Sequence, residues 1–399
     1  MKVTIAGYGA GATHGCLPAT QQALNAAGLI FGAPRLLNDA GIAAPRGVAA
    51  VHARDIADAI DKADVASSCV LMSGDSGFYS GTKRLLPLLD AHEVTVIPGV
   101  SSVQAFSAAL QLPWQSWRLC SAHGVDCNVA HEVSRHATCF FLTGGAHTPD
   151  ALCRVLTQSG FGALDAFIGS DLGSDAQQVI SATVQELAQG RFSSLSVLLV
   201  QNPTPRCGVG FGLPDTAFIR GDVPMTKSEV RAVILSKLRL CGADIFYDVG
   251  SGTGSVAVEA ALMLDSGRVY AIEQKGEGCR LTVENAKRLG AFNLTCIEGV
   301  APEVLRTLPA PDAAFIGGSS GGLRSIVTLL REKNPQVRLV VAAVTIETMT
   351  EATALFNELQ LPNYEVVQVA VSRAQPLGRY HMLAAQNPVY IFSGGGRDV

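Results

Sequence analysis

The sequence predicts an α/β protein of two domains, each built on a largely parallel sheet covered by helices. Its 399 residues are enough for two or three domains with large hydrophobic cores. Short apolar stretches alternate with helical ones in both halves, which is the pattern of parallel or mixed sheets. A segment rich in proline and glycine interrupts this alternation at residues 204–219 and predicts a linker.

The first domain is therefore predicted at residues 1–203. Its strands are predicted at 2–6, 66–72, 93–97, 137–142, 163–169 and 195–200. Its helices are predicted near 16–27, 78–90, 101–111, 149–159 and 183–189. The pattern of residue types changes near Pro113. This change predicts that the domain is divided into lobes at about 1–112 and 113–203, with a cleft between them.

The second domain is predicted at residues 220–399. Thr226 and Glu229 have the spacing of a capping box, in which a hydroxyl and a carboxylate satisfy the first N–H groups of a helix. Seven strands are predicted at 245–249, 268–272, 294–297, 312–316, 337–344, 365–371 and 388–393. The last two have no helix between them, so the final strand is predicted to run antiparallel in an otherwise parallel sheet.

A glycine-rich turn follows the strand at 245–249, and Glu273 ends the next strand. Such a turn brings backbone N–H groups to a nucleotide-like ligand, whose ribose hydroxyls donate to the acid. The spacing is G-x-G-x-G and not the G-x-G-x-x-G of dinucleotide sites, which favours S-adenosylmethionine. Asp248 can hold the turn or attract the sulfonium and amino groups of that ligand. The predicted contacts within the turn are Gly250, Ser251, Gly252, Thr253 and Gly254.

A second glycine-rich loop, residues 317–322, follows the strand at 312–316. At the carboxyl edge of the sheet it leaves room for a bulky flat substrate, and Gly318 and Ser319 are predicted substrate contacts. The alternative is a flexible loop without a ligand. The segment 299–301 ends the preceding strand and is predicted to line the adenine.

Composition limits the function. Net charge is −4, pI is about 6.1 and aromatic content is 6%, which disfavours a general nucleic-acid binder. No apolar run reaches the roughly 18 residues of a membrane helix, and the start lacks the pattern of a signal peptide, so a cytoplasmic protein is expected. The ten cysteines show no C-x-x-C and no zinc spacing. They are expected to be reduced, and no metal site is predicted.

The second half resembles the decarboxylating precorrin methyltransferases of the cobalamin pathway. The resemblance covers about 220–395 and rests on the segments 224–232, 248–261, 268–273, 299–303, 311–318 and 387–389. It implies a Rossmann-like domain in which Thr226, Glu273, Ala301 and the turn 250–254 contact S-adenosylmethionine. It also implies methylation of carbon 15 of precorrin-6B with decarboxylation of the ring C acetate. The cosubstrate would leave as S-adenosylhomocysteine.

The first half resembles a different fold of the same pathway, the two-lobed tetrapyrrole methylases. The resemblance covers about 1–201 and rests on the segments 3–11, 71–80 and 96–106. It implies a donor in the cleft between the lobes, with the glycine loop facing the substrate. The implied donor contacts are Gly74, Asp75, Ser101 and Ser102, and the implied substrate contacts are Gly9 and Gly11. Ala10 and Ser76 stand where this family has proline. Without the resemblance, residues 74–76 would be an ordinary turn.

Together the two halves resemble the family of precorrin-6Y C(5,15)-methyltransferases, which implies methylation of carbon 5 by the first half and precorrin-8 as the product. A tetrapyrrole substrate rich in carboxylates predicts cationic side chains near the site. The candidates are Lys227, Arg231, Arg324, Arg373, Arg379 and His381, each of which could instead be a solvated surface residue. The family also implies a homo-oligomer. The proton donor for decarboxylation is not predicted.

Three other functions remain open on the sequence. A nicotinamide oxidoreductase shares the glycine turn and the acid, but requires the dinucleotide spacing. An RNA methyltransferase shares the fold of the second half, but requires a basic stripe with interleaved aromatic residues. In the third alternative the first half is a non-catalytic scaffold, which the departures at Ala10 and Ser76 leave open.

Overall fold

The computed structural model describes residues 1–11, 16–124, 127–206 and 212–396. The chain divides into two compact units, Met1–Pro205 and Arg206–Val399. Part of the predicted linker, residues 207–211, lies outside the described residues. The rest of its C-terminal portion packs on the second unit, where Phe218 is buried and the Gly212 N–H donates to Glu259 Oε2 at 3.1 Å.

The first unit contains two five-stranded sheets, with the orders β3-β2-β4-β1-β5 and β6-β7-β10-β8-β9. Its strands are β1 (Lys2–Gly7), β2 (Leu29–Gly32), β3 (Gly47–Ala49), β4 (Ser67–Met72), β5 (Glu93–Ile97), β6 (Arg118–Ser121), β7 (Thr138–Leu142), β8 (Asp165–Ser170), β9 (Gln178–Thr183) and β10 (Ser196–Gln201). Its α-helices are α1 (Pro18–Ala26), α2 (Pro34–Asp39), α3 (Ala53–Asp61), α4 (Thr82–Leu85), α5 (Ser102–Leu110), α6 (Val129–Arg135), α7 (Pro149–Gln158) and α8 (Val184–Leu187).

The first sheet of this unit is parallel throughout, and the second combines parallel and antiparallel pairs. The α/β class predicted for the first half is therefore confirmed. Sequence analysis missed β2, β3, β6 and β9 and the helices α2, α3 and α6. Three of these strands have only three or four residues, which is too short for a clear period of two.

The second unit contains one seven-stranded sheet in the order β13-β12-β11-β14-β15-β19-β16. Its strands are β11 (Ile245–Val249), β12 (Arg268–Glu273), β13 (Leu294–Glu298), β14 (Ala313–Ile316), β15 (Arg338–Ala343), β16 (Glu365–Val369) and β19 (Val389–Gly394), with a separate hairpin of β17 (Ser372–Leu377) and β18 (Tyr380–Ala385). Its α-helices are α9 (Ser228–Leu238), α10 (Ser255–Met263), α11 (Gly276–Leu289), α12 (Leu323–Lys333) and α13 (Ile346–Glu358). β19 runs antiparallel to both neighbours, which confirms the predicted reversal.

One local prediction for the second unit was wrong, and one element was missed. The expected capping box is absent, because α9 has Lys227 as its N-cap residue and no side chain of its own caps it. Asp215 performs this role from a distant segment, since its Oδ1 accepts from the Ser228 N–H at 3.0 Å. The hairpin β17–β18 was not predicted, and its side chains are largely exposed.

Each unit has its own hydrophobic clusters. In the second unit, one cluster packs α9 and α10 against the sheet around Phe246, and another packs α12 and α13 around Phe356. Within the described part of the chain, no helix has the length and apolar character needed to cross a bilayer.

Candidate active sites

A cavity of about 550 Å³ lies in the second unit at the edge where its parallel strands end. The order of the sheet reverses between β11 and β14, because the chain proceeds from β11 to β13 on one side and from β14 to β15 on the other. Open α/β sheets bind their ligands outside the carboxyl ends of the strands at such a reversal. The lining comes mainly from segments 223–227, 249–252, 272–275, 299–301 and 317–320, and from Val344, Val371, Gln386, Asn387 and Val389.

The glycine-rich turn exposes backbone to this cavity. Gly250 has φ +78°, and a Cβ there would lie 2.8 Å from the backbone N and O of Gly318. The turn is fastened to β12, because the Gly250 N–H donates to the Ile272 carbonyl at 2.9 Å. A side chain at Gly250 would therefore collide with the facing loop, which explains the requirement for glycine.

Glu273, at the end of β12, lies beside the turn as predicted from the sequence. Its Oε2 accepts from the Gly252 N–H and its Oε1 from the Lys275 N–H, both at 2.9 Å. The side chain lines the cavity although only 8% of the residue is exposed. Carboxylate oxygens carry further lone pairs, so both can still accept from a ligand hydroxyl.

Five other predicted cosubstrate contacts also line this cavity. They are Gly250, Ser251, Gly252, Thr226 and Ala301. A glycine turn without Cβ atoms, a carboxylate with spare acceptor capacity and an uncharged segment at 299–301 fit a nucleoside. The residues present therefore suit S-adenosylmethionine.

Three predicted cosubstrate contacts lie behind the turn. Thr253 is fully buried, and Gly254 is the N-cap residue of α10. Asp248 is 1% exposed, and its Oδ2 accepts from the Ala257 N–H at 2.9 Å. None of the three belongs to the cavity lining, so of the two roles considered for Asp248 the geometry favours holding the turn.

Asp248 makes a pH-dependent contribution to stability. Burial raises the pKa of its carboxyl to about 7, from an ordinary value of about 3.9, and Oδ1 has no hydrogen-bond partner. The folded state thus holds this proton more tightly than the unfolded state does. The contribution is complete below about pH 4 and is lost as pH rises to about 7.

Asp248→Asn should remove this part of the pH dependence, because asparagine stays neutral at every pH. The measurement is urea unfolding of the second unit at several pH values, with Asp222→Asn as the control at an exposed carboxylate. Equal slopes for the wild type and Asp248→Asn between about pH 4 and about pH 7 would contradict the prediction.

Arg231 was predicted as a substrate clamp, and the structure corrects this. It is fully buried, and its Nε donates to Glu259 Oε1 at 2.5 Å. Its Nη1 donates to the Thr226 carbonyl at 2.6 Å and lies 3.5 Å from Asp215 Oδ1. These partners use its donors inside the domain, so Arg231 cannot reach a ligand and holds Thr226 in the cavity wall instead.

The other residues of the second unit that were predicted to bind the substrate, five cationic clamps and two residues of the glycine loop, divide into two groups. Lys227, Gly318 and Ser319 line the cavity. Arg324 does not, because it pairs with Glu358 at 2.9 Å on the exposed faces of α12 and α13. The hairpin carries the rest: Arg373 pairs with Asp215 and Glu229, while Arg379 lies over the Tyr380 ring and His381 is exposed. None of these four side chains belongs to the cavity lining.

Sequence analysis missed several lining residues. Lys275 follows Glu273, Val344 follows β15, and Val371 and Gln386 flank the hairpin. The sequence did contain a signal for these residues, because they lie just after a parallel strand or just before the antiparallel strand. Both kinds of position meet at one edge of the sheet, where the cavity lies.

In the first unit, three glycine loops meet where β1, β4 and β5 end. The Gly9 N–H donates to the Gly74 carbonyl at 3.0 Å, and the Gly74 N–H donates to the Gly9 carbonyl at 3.1 Å. A Cβ on Gly99 would collide with the Gly74 carbonyl, and one on Gly11 would collide with Gly173. The glycines predicted to face the substrate therefore pack backbone against backbone.

The other predicted donor contacts of this unit have local structural roles. Asp75 Oδ1 accepts from the Gly77 N–H at 2.7 Å, which is the side-chain turn expected without a ligand. Ser101 is buried and caps α5 in a capping box with Gln104, and Ser102 begins the helix. Ser76, in place of a proline, donates from Oγ to the Ile97 carbonyl at 2.9 Å.

A cavity of about 550 Å³ lies beside this turn and was not predicted. Its lining is formed by residues 76–80 together with Thr82, Lys83, Leu86 and Leu119. The Tyr79 hydroxyl donates to the Leu119 carbonyl at 3.0 Å, which joins the turn to β6. Gly74, Asp75, Ser101 and Ser102 are outside this lining. Among the described residues of the whole chain, no three His, Cys, Asp or Glu side chains converge as a metal site would require.

Comparison with known proteins identifies both halves. Residues 217–394 match the model of the precorrin methyltransferase domain, and residues 2–188 match that of the tetrapyrrole (corrin/porphyrin) methylases. A protein of Pyrobaculum calidifontis, named a probable cobalt-precorrin-6B C(15)-methyltransferase (decarboxylating), is 45% identical over 185 residues, 46% of this chain and 94% of the relative. The chain belongs to the decarboxylating precorrin methyltransferases. It is a fusion of the tetrapyrrole methylase domain with the precorrin methyltransferase domain, as in the precorrin-6Y C5,15-methyltransferases.

Other precorrin methyltransferases match the second unit as well. The cobalt-precorrin-6B C(15)-methyltransferase (decarboxylating) of Salmonella typhimurium is 38% identical over 183 residues, 45% of this chain and 94% of the relative. The crystal structure of precorrin-6y C5,15-methyltransferase from Geobacter metallireducens is 36% identical, covers 46% of this chain and 98% of its own, and has a TM-score of 0.44. The tetrapyrrole methylase family, to which the first unit belongs, uses S-adenosylmethionine.

Proposed function

We propose that the first unit methylates carbon 5 of a precorrin-6 macrocycle, and that the second unit methylates carbon 15 and decarboxylates the ring C acetate to give precorrin-8. C5,15 methylation with decarboxylation in cobalamin biosynthesis is the activity of this fused family. The observation that supports the assignment to two units is that each contains a cavity of about 550 Å³ beside a glycine-rich turn at the ends of parallel strands.

S-adenosylmethionine would supply an activated methyl group to each unit. In the second unit, Glu273 would accept from the ribose hydroxyls, and the turn 250–252 would let the ligand approach the backbone. Thr226 and Ala301 would form the remaining walls of the pocket. In the first unit, the family resemblance gives Gly74, Asp75, Ser101 and Ser102 as donor contacts and Gly9 and Gly11 as substrate contacts. None of them belongs to the lining of the cavity beside residues 76–80, so the donor would have to extend from that cavity towards them.

The protein's part in methyl transfer is placement. The electron-rich macrocycle carbon would attack the methyl group of S-adenosylmethionine. The bond between the methyl carbon and the sulfonium sulfur would break as the new carbon–carbon bond forms. No protein nucleophile is needed, so the side chains contribute by holding the two reactants in line, which can lower the barrier by roughly 7–11 kcal/mol. Excluding water from the cavity adds to this, because charge moves from the sulfonium to the ring.

Mass spectrometry of the product formed from a precorrin-6B substrate and S-adenosylmethionine tests the proposal. The full chain should add two methyl groups and remove one carbon dioxide. A product with one added methyl and no loss of carbon dioxide would show that only the first unit works. One methyl with loss of carbon dioxide would mean that the first unit is a scaffold, and an unchanged mass would refute the proposal.

Glu273→Gln should weaken one of the two cosubstrate sites by about 10–100-fold. The substitution replaces charge-assisted hydrogen bonds to the ribose by neutral ones, and a hydrogen bond to a charged group is worth about 1.5–3 kcal/mol. Calorimetric titration with S-adenosylmethionine measures both sites of the full chain. Glu298→Gln is the matched control, since Glu298 is the register partner of Glu273 at the end of β13 but lies outside the cavity lining. Equal affinities of Glu273→Gln and the control would contradict the role of Glu273.

The partner of each site is a small tetrapyrrole, and we also propose a homo-oligomer. Exposed apolar side chains on the hairpin β17–β18 support an oligomer, since Leu377, Tyr380 and Leu383 are each at least 60% exposed. Light scattering of the purified chain would measure its mass, and a monomer at all concentrations would refute this part.

A further inference from the structure

The cavity of the second unit has two halves of different chemistry. The half formed by the ends of β11, β12 and β13 contains the glycine turn, Glu273 and Lys275, and is where the cosubstrate is proposed to bind. The other half lies across the reversal point, at the ends of β14 and β15 and the start of β19. The two halves belong to one continuous cavity, so a ligand in the second half is adjacent to the first.

The second half is lined by uncharged residues. The loop after β14 contributes Gly317, Gly318, Ser319 and Ser320, which carry no bulky side chain. The remaining lining of this half is formed by Phe315, Ile326, Ala342, Val344, Val371, Gln386, Asn387 and Val389. Among these described residues there is no lysine, arginine, histidine or carboxylate. The cations of the lining, Lys227 and Lys275, lie on the α9 segment and on the cosubstrate side.

Two apolar side chains just after β15 are largely exposed to solvent, although burying them would be expected to stabilise the fold. Val344 is 69% exposed and Ile346, two residues later, is 74% exposed. Their positions are fixed, because Thr345 between them is the N-cap residue of α13 and its side chain accepts from the Thr348 N–H at 3.3 Å. Exposed branched side chains on a fixed helix start form a surface that a flat apolar ligand can cover.

We propose that this uncharged half receives the acetate-bearing ring of the tetrapyrrole, and that decarboxylation is driven there by removing the carboxylate from water without a compensating cation. The inference rests on the proposed function of the second unit. In the reaction, the bond between the acetate CH₂ and its carboxylate breaks and carbon dioxide leaves. The electron pair passes into the conjugated macrocycle, and a proton from solvent at the former CH₂ carbon completes a methyl group.

The absence of a cation favours this step for an electrostatic reason. A carboxylate that pairs with lysine or arginine is stabilised in its ground state, and it loses that stabilisation as its charge spreads into the ring. In uncharged surroundings the localised charge of the carboxylate is less stable than the charge spread over the ring in the transition state. The barrier to loss of carbon dioxide is therefore lower. The sequence prediction that cations clamp the substrate would then apply to the other carboxylates, for which the cavity lining offers the predicted Lys227 and also Lys275.

The test places a cation in the uncharged half. Val344→Lys should slow loss of carbon dioxide at least tenfold relative to methylation at carbon 15, so that the methylated but undecarboxylated product accumulates, while KM for the tetrapyrrole stays the same or falls. Val344 is exposed, so folding should survive the change. Val344→Met controls for side-chain size, and Val283→Lys adds the same charge on α11 at a residue that is 55% exposed and outside the cavity lining. Product masses at successive times give both rates.

Two results would overturn the inference. One is that neither rate changes in Val344→Lys, and the other is that both rates fall by the same factor, because the ratio of decarboxylation to methylation is unchanged in both cases. Failure of the proposed function is a separate outcome, because the wild-type chain would then add no methyl group at carbon 15 and lose no carbon dioxide in the same assay.

Discussion

Arg231→Met is expected to lower the unfolding free energy of the second unit by about 3–5 kcal/mol. Arg231 is fully buried, and Glu259, its partner at 2.5 Å, is 3% exposed. Methionine fills a similar volume but leaves the Glu259 carboxylate buried without its cation. Breaking a buried pair on one side is costly because the remaining charge has neither water nor a counter-charge.

Urea unfolding measures this effect, with the transition of the second unit followed separately because the chain has two compact units. The matched control is Arg324→Met, which removes an ion pair of similar length. Arg324 and Glu358 have side chains that are 53% and 57% exposed, so water screens the pair and its loss should change stability far less than the loss of Arg231 does. The double variant Arg231→Met/Glu259→Gln should recover part of the stability. Equal losses in Arg231→Met and Arg324→Met would show that the buried cluster does not stabilise the fold.

Gly250→Ala is expected to reduce carbon-15 methylation by at least about 100-fold. The added Cβ would lie 2.8 Å from two backbone atoms of Gly318, and the positive φ of 78° disfavours any side chain. Either the turn or the facing loop must shift, and both line the cavity. A displacement of about 1 Å between reacting groups is enough for a loss of this size.

The control for Gly250→Ala is Gly242→Ala. A Cβ at Gly242 would lie 3.4 Å from Asp265 Cβ, which is ordinary contact, and the residue precedes β11 at the opposite end of that strand. Initial rates with saturating cosubstrate distinguish misplacement from weakened binding. If Gly250→Ala kept its activity within a few-fold of the wild type, the turn at Gly250 and the facing loop at Gly318 could move apart without harm, and the prediction would be wrong.

The second unit could be predicted well from the sequence because its signals are local. The glycine spacing at residues 250–254 and the acid at Glu273 each follow a buried apolar strand, so one sequence window reveals both the strand and its functional end. The antiparallel last strand followed from the missing helix before β19. These features need no knowledge of distant partners.

The errors concern residues whose role depends on distant segments. Thr226 and Glu229 have the spacing of a capping box, but Asp215 caps α9 from another segment and Arg373 binds Glu229 from the hairpin. Arg231 looked like a surface cation on an amphipathic helix, and only Glu259, 28 residues later, shows that it is buried. Spacing along one helix does not reveal a partner on another element.

The first unit was harder for a related reason. Its glycine loops contact each other between strands that are far apart in sequence, as Gly9 and Gly74 do. Its cavity is lined by the turn at 76–80, by Thr82, Lys83 and Leu86, and by Leu119 on β6, a four-residue strand without a recognisable period.

The separate hydrophobic clusters of the two units have a practical consequence for engineering. Two curated relatives are matched along 94% of their length by 185 and 183 residues of this chain, which is about the size of the precorrin methyltransferase domain at residues 217–394. A domain of that size therefore corresponds to nearly a whole polypeptide elsewhere. The fused chain can therefore be treated as two interchangeable modules. Replacing its second unit by a relative of this kind, such as the protein of Pyrobaculum calidifontis, is a direct route to a chimera that shows whether the two units fold independently.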